Sequence, residues 1–145
     1  MKDEDFTLSW LINDRLIDVE RVEENRSWHL KFGSGATLNI DCLWRIVKDG
    51  TLSSTSEDHG HKFGLPAPFD GVEALKELNR SAISAVALRD GTADVALYFG
   101  EYVVLEIIPM FGGYESWSAS RPGRGTIIAG AQGKLFSYGE NGRDG

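Results

Sequence analysis

The sequence predicts an α+β fold, mostly β: two pseudo-symmetric antiparallel meanders forming a sandwich or open barrel, with one short helix. Three observations predict it. Apolar and polar residues alternate over short runs. A shift of 67 residues lays one half of the chain on the other. One helix-start signal stands between the halves.

The shift pairs Phe32 with Phe99. Without a gap it also pairs Leu16 with Ile83, Val19 with Val86, Trp28 with Val95, Leu30 with Leu97, Gly33 with Gly100, Leu38 with Leu105, Ile40 with Ile107 and Trp44 with Phe111. Apolar positions fall on apolar positions at strand spacing, which reads as an internal repeat over about 16–45 and 83–112. In the first copy LIDVERV is a strand and EENRS a turn. WHLKF then alternates, with Trp28, Leu30 and Phe32 on one face, and Gly33-Ser34-Gly35 turns the chain. ATLNIDC sends Leu38, Ile40 and Cys42 inward and Thr37, Asn39 and Asp41 outward.

The second copy follows with ISAVAL, the turn RDGTAD, VALYF with Val95, Leu97 and Phe99 inward, the turn Gly100-Glu101, and YVVLEII. That last strand is apolar on both faces, so it is expected to be central or covered by the helix. TLSSTSEDHGHKFGLPAPFD, rich in Ser, Gly and Pro, reads as a long ordered loop between the copies. Asp70 then suits an N-cap with Glu73 as capping-box partner, and Val72, Leu75 and Leu78 mark one face of a helix from about Gly71 to Asn79. GTIIAG and KLFSY read as terminal strands, RPGRG (121–125) as an exposed hairpin tip with two arginines, and 139–145 as a frayed tail. No linker divides the chain, which predicts a single domain over 1–145.

The 145 residues are 41% apolar, enough for one core without a disulfide or metal staple. Cys42 is the one cysteine and reads as a small core residue. A net charge of −7 argues against nucleic acid and anionic membranes as partners. The start of the chain shows no basic leader before an apolar run, and VVLEIIPMF is short of a membrane span. The expected location is cytoplasmic. The acidic runs DEDF and DVERVEEN suit a solvated surface, or a patch that steers a basic partner.

Under the same shift Tyr114 to Trp117 falls opposite Val47 to Gly50, a turn, so GGYESW reads as an addition that the first copy lacks. If the segment is extended, Tyr114 and Ser116 share one face while Glu115 and Trp117 share the other. It is then either a corner capping one end of the sandwich or a recognition surface, because Tyr and Trp bring large contact area at low entropic cost. The succession LKFGSG, LNI and LWR, then HGHKFG, a short helix, LYFG, LEIIP and finally GYESW before a Gly-rich end covers roughly residues 10 to 136. In this order it resembles a family of small bacterial proteins with a duplicated β motif. The resemblance implies kinship with immunity proteins of polymorphic toxins and carries over no catalytic residue.

EDHGHKFG offers Asp58, His59 and His61. In a strand the two histidines would share a face, but a metal site needs three or four protein ligands, and no second HxH, CxxC or HExxH is present. No metal or other cofactor is therefore expected, and the loop histidines are expected to bond nearby backbone. His29 alternates with inward Trp28 and Leu30 and faces out. There is no GxSxG and no spaced Ser-His-acid set. GAQGKL fails as a phosphate loop, with Ile128 where the first glycine belongs and Leu135 where Ser or Thr belongs. Asp41, Asp58, Glu106 and Glu115 have no separation that the sequence sets. No catalytic residue is assigned. These features predict a non-enzymatic protein-binding protein, an acidic immunity protein that meets a basic toxin domain through Tyr114, Glu115 and Trp117, with Arg45, Asp58 and His59 as further contacts. The alternative is a small-molecule-binding or enzymatic domain using the loop 53–69 beside GYESW. A third option is a homodimer formed through exposed strand edges.

Overall fold

Alternation at period two becomes eleven strands in two antiparallel sheets in the computed structural model, which describes residues 7–139. The first meander is β1 (Leu16–Val22), β2 (Ser27–Phe32) and β3 (Thr37–Ile40), followed by a hairpin of β4 (Leu43–Lys48) and β5 (Thr51–Thr55). The helix α1 (Gly71–Lys76) comes next and runs on as a 3-10 turn over Glu77–Arg80. The second meander is β6 (Ile83–Leu88), β7 (Val95–Phe99) and β8 (Val103–Ile108). It leads to β9 (Trp117–Arg121), β10 (Gly125–Ala129) and β11 (Leu135–Tyr138).

Each meander is completed by strands from the other half. One sheet runs β1-β2-β3-β9-β10-β11 and the other β5-β4-β8-β7-β6. The two cross-pairs are β3 with β9 and β8 with β4. The fold is thus an α+β, mostly-β sandwich, with Leu30, Leu38 and Ile40 from one sheet and Trp44, Leu97, Leu105 and Ile107 from the other fully buried in a shared core. β8 is the central strand of its sheet, as its two apolar faces require, while α1 lies against β1.

The registers of the two meanders repeat. Leu16 pairs with Phe32, then the ladder slips before Asp18 pairs with Lys31. Ile83 pairs with Phe99, and the same slip follows before Ala85 pairs with Tyr98. Leu30 faces Leu38 as Leu97 faces Leu105. Phe32 and Phe99 are both buried at the ends of their strands. The same irregularity thus stands at the start of both meanders.

The ungapped shift fails beyond Ile107. Trp44 pairs with Ile107 and Trp117 with Ile40, so the structural counterpart of Trp44 is Trp117, not Phe111. Trp44 is buried while Phe111 is 55% exposed. Residues 41–42 join the meander to its hairpin in the first half, and 109–116 do so in the second. The stretch of the second half without a register counterpart is therefore the one before Trp117, and Trp117 itself stands at the register position of Trp44.

Two elements differ from expectation. The hairpin β4–β5 occupies LWRIVKDGTLSST, half of which reads as loop because β5 is an edge strand with exposed Thr51, Leu52 and Ser53. Asp70 caps α1 as expected, but its carboxylate takes both Val72 N–H and Glu73 N–H itself, in place of a reciprocal capping box with Glu73. Of the expected tail 139–145 only Gly139 lies within the described residues, and the acidic stretch 3–6 lies outside them.

The two register-equivalent tryptophans differ in one bond. Trp117 Nε1 donates to Ala93 O at 2.8 Å, whereas Trp44 Nε1 is buried without an acceptor. Trp117→Phe strands a buried carbonyl and is expected to cost about 1–3 kcal/mol more than Trp44→Phe in urea unfolding, since only it breaks a bond. Equal losses would contradict this account.

Candidate functional site

The loop histidines His59 and His61 come together with Met110 and Phe111, which follow β8, whereas Asp58, Tyr114, Glu115 and Trp117 lie outside this grouping. At the grouping a cleft of about 350 Å³ is lined by Arg21, Trp28, Asp41, His59, Met110 and Phe111, among others. Trp28 is its hub. The Arg21 guanidinium lies 4.3 Å over the indole, and Trp44 and His59 meet it edge-on with ring centroids 5.2 Å away. Arg21 Nε is buried without a hydrogen-bond acceptor, its nearest carboxylate oxygen on Glu23 standing 3.6 Å off. Gly71, the first residue of α1, packs so closely that a Cβ there would lie 2.6 Å from the Trp28 ring. Glycine is what lets the helix start against the indole.

His59 is held on both sides. Its Nδ1 accepts the Gly71 N–H at 3.0 Å, so the neutral ring carries its proton on Nε2, which faces Glu23 at 3.5 Å. Neither nitrogen is left as a free base. Asp58 Oδ2 accepts the Thr55 N–H at 2.9 Å and closes a capping box around the 3-10 turn Ser56–Asp58. Both residues build the loop, as expected of loop residues that bond backbone. Arg45 lies in another depression, beside Arg89 and Asp94, and pairs with Glu106 opposite it on β8.

The addition itself splits by exposure. Pro109 stops β8, since it has no N–H to continue the ladder. Beyond it Met110, Phe111 and Tyr114 are 49%, 55% and 68% exposed, with Phe111 and Tyr114 edge-to-face at 5.6 Å. Glu115 is exposed, while Trp117 is 1% exposed and hydrogen-bonded. Tyr114 and Glu115 are therefore surface residues, and Trp117 is withdrawn from any contact surface because its ring fills the core. Arg21, Glu23, Trp28, Met110 and Phe111 escape the sequence reading. Pro109 was the signal available for the last two, because it ends the apolar run as a strand.

Asp41 and Cys42 sit where β3 crosses to β4. Partial burial holds the Asp41 carboxyl above the ordinary carboxylate range, His29 opposes this and Glu115 adds to it. Burial, with the charge of Asp41, pushes the Cys42 thiol up to about 12, so it is a protonated, poorly nucleophilic thiol at neutral pH. Among the described residues no three His, Cys, Asp or Glu side chains converge as a metal site. Nor, among them, is any helix long and apolar enough to cross a membrane. No family model, curated protein or solved structure matches the chain.

A raised pKa means the folded state keeps the Asp41 proton to higher pH than the unfolded chain does. Its contribution to stability is greatest in acid and declines as pH rises through the carboxylate range to the raised folded value. Asp41→Asn removes that decline, so its stability advantage over the wild type should grow from acid to neutral pH in urea unfolding. A difference flat with pH would refute this. Cys42 should resist iodoacetamide at neutral pH in the folded protein and react once urea unfolds it.

Proposed function

We propose that this chain is a non-enzymatic recognition protein, an acidic immunity protein that binds a basic toxin domain. The observation that supports this best is the exposed ridge Met110, Phe111 and Tyr114, carried on a stretch that the first half lacks and followed by Glu115. A loop with three large exposed apolar side chains and an acidic flank suits an interface better than a solvated corner. The net charge of −7 would speed encounter with a basic partner, and the kinship with immunity proteins that the motif order implies points the same way. The fixed His59 and the protonated Cys42 offer contact chemistry rather than a base or nucleophile.

One observation favours a second reading. Residues Ser56, His59 and His61 of the loop 53–69 line a cleft with Met110 and Phe111, just before GYESW, and Arg21 within it has an orphaned Nε–H, which suits a small-molecule site.

The test is co-expression with the products of the neighbouring genes. Host protection and co-purification are expected, with affinity falling as salt rises. Phe111→Ala with Tyr114→Ala should weaken binding by about thirtyfold or more, at an unchanged melting temperature. Undiminished affinity in that variant would remove the ridge from the interface, and absence of both protection and binding would end the immunity reading.

A further inference from the structure

The hairpin tip RPGRG has more company than a solvated turn needs. Arg124 N–H donates to Arg121 O at 2.9 Å, and Gly123 and Gly125 take positive φ of 78° and 88°, which closes a tight turn between β9 and β10. Both arginines line a cavity of about 460 Å³ that the tip forms with the 3-10 turn Ser9–Leu11 and with β11. The Arg121 guanidinium lies 5.4 Å over the Trp10 ring. Thr7, Ser9, Thr126, Ser137 and Tyr138 supply hydroxyls, and among the described residues no carboxylate lines the cavity. Among the described residues neither arginine forms an ion pair.

Two guanidinium groups ringed by hydroxyls and without an ion pair among the described residues, on a chain of net charge −7, are a local reversal of sign. Guanidinium matches the oxygens of a phosphate in a fork, and hydroxyl groups can donate to the remaining oxygens or bond a polyol. The cavity is larger than a bare phosphate requires and falls in the range of small-ligand pockets. A nucleic-acid chain is disfavoured, because the rest of the surface repels a polyanion. We propose that this cavity binds a phosphate-bearing small molecule with hydroxyl groups, of the sugar-phosphate class, with Arg121 and Arg124 holding the phosphate. The site is separate from the ridge and cleft of the proposed interface.

The experiment is a thermal-shift and NMR titration of the full chain with glucose 6-phosphate, glucose and inorganic phosphate, following the Trp10 indole resonance. Glucose 6-phosphate should raise the melting temperature and move that resonance, with weaker effects from inorganic phosphate and none from glucose. Arg121→Gln with Arg124→Gln should cut affinity by about tenfold or more. Arg124→Gln alone, at an exposed position, gives the same test without disturbing the Trp10 stack. The proposal is overturned if no phosphate compound binds, if inorganic phosphate binds as well as the sugar phosphate, or if the arginine variants bind as well as the wild type. The acidic stretch Asp3, Glu4 and Asp5 supplies one more arm. If only D3N/E4Q/D5N takes up the sugar phosphate, the cavity does not serve an external ligand and the proposal fails.

Discussion

The structure depends on two antiparallel cross-pairs, β3 with β9 and β8 with β4. Neither meander has a complete sheet of its own. The backbone groups on the outer side of β3 and β8 find partners only when the opposite half delivers a hairpin, and unpaired buried backbone groups are costly. This constraint forces the chain to cross between sheets at 41–42 and again at 109–116, and the candidate cleft takes lining residues from both crossings. The same pairing places a tryptophan at the entry to each hairpin, Trp44 and Trp117, where each fills the core at a cross-pair.

The cleft follows from packing around Trp28. Gly71 allows the helix to approach the indole, His59 ties the helix start to the loop before it, and Arg21 covers a ring face. Charge is spread around this hub without full pairing: Glu23 serves both Arg21 and His59 at distances beyond 3.4 Å, and Asp41 carries a carboxyl that burial and Glu115 disfavour as an anion.

Much of the fold could be read in the sequence because its strands alternate and repeat. The six strands of the two meanders, the Asp70 cap and the final hairpin all carry local patterns that the fold respects. β5 was illegible because an exposed edge strand of Thr, Leu and Ser has no inward stripe. The kinship of Trp44 and Trp117 was hidden by the longer second crossing, which breaks an ungapped alignment at the place where the interesting residues lie. Of the candidate contacts, Tyr114 and Glu115 lie at the surface, Trp117 lies in the core, and Asp58 and His59 bond backbone. Arg21 and Trp28 could not be anticipated as neighbours of that loop, because a strand pattern tells which side chains face inward and not which loop lies over them.

The exchange of hairpins also sets an order on synthesis. β1, β2 and β3 leave the ribosome early, yet the free flank of β3 has no partner until residues 117–121 have been made. Until then Leu38 and Ile40 sit on a strand with one bare edge, the kind of edge that recruits other chains. The polar neighbours Asn39 and Asp41 stand along that waiting edge. A polar amide and a carboxylate beside that flank are what keeps a bare edge hydrated while it waits.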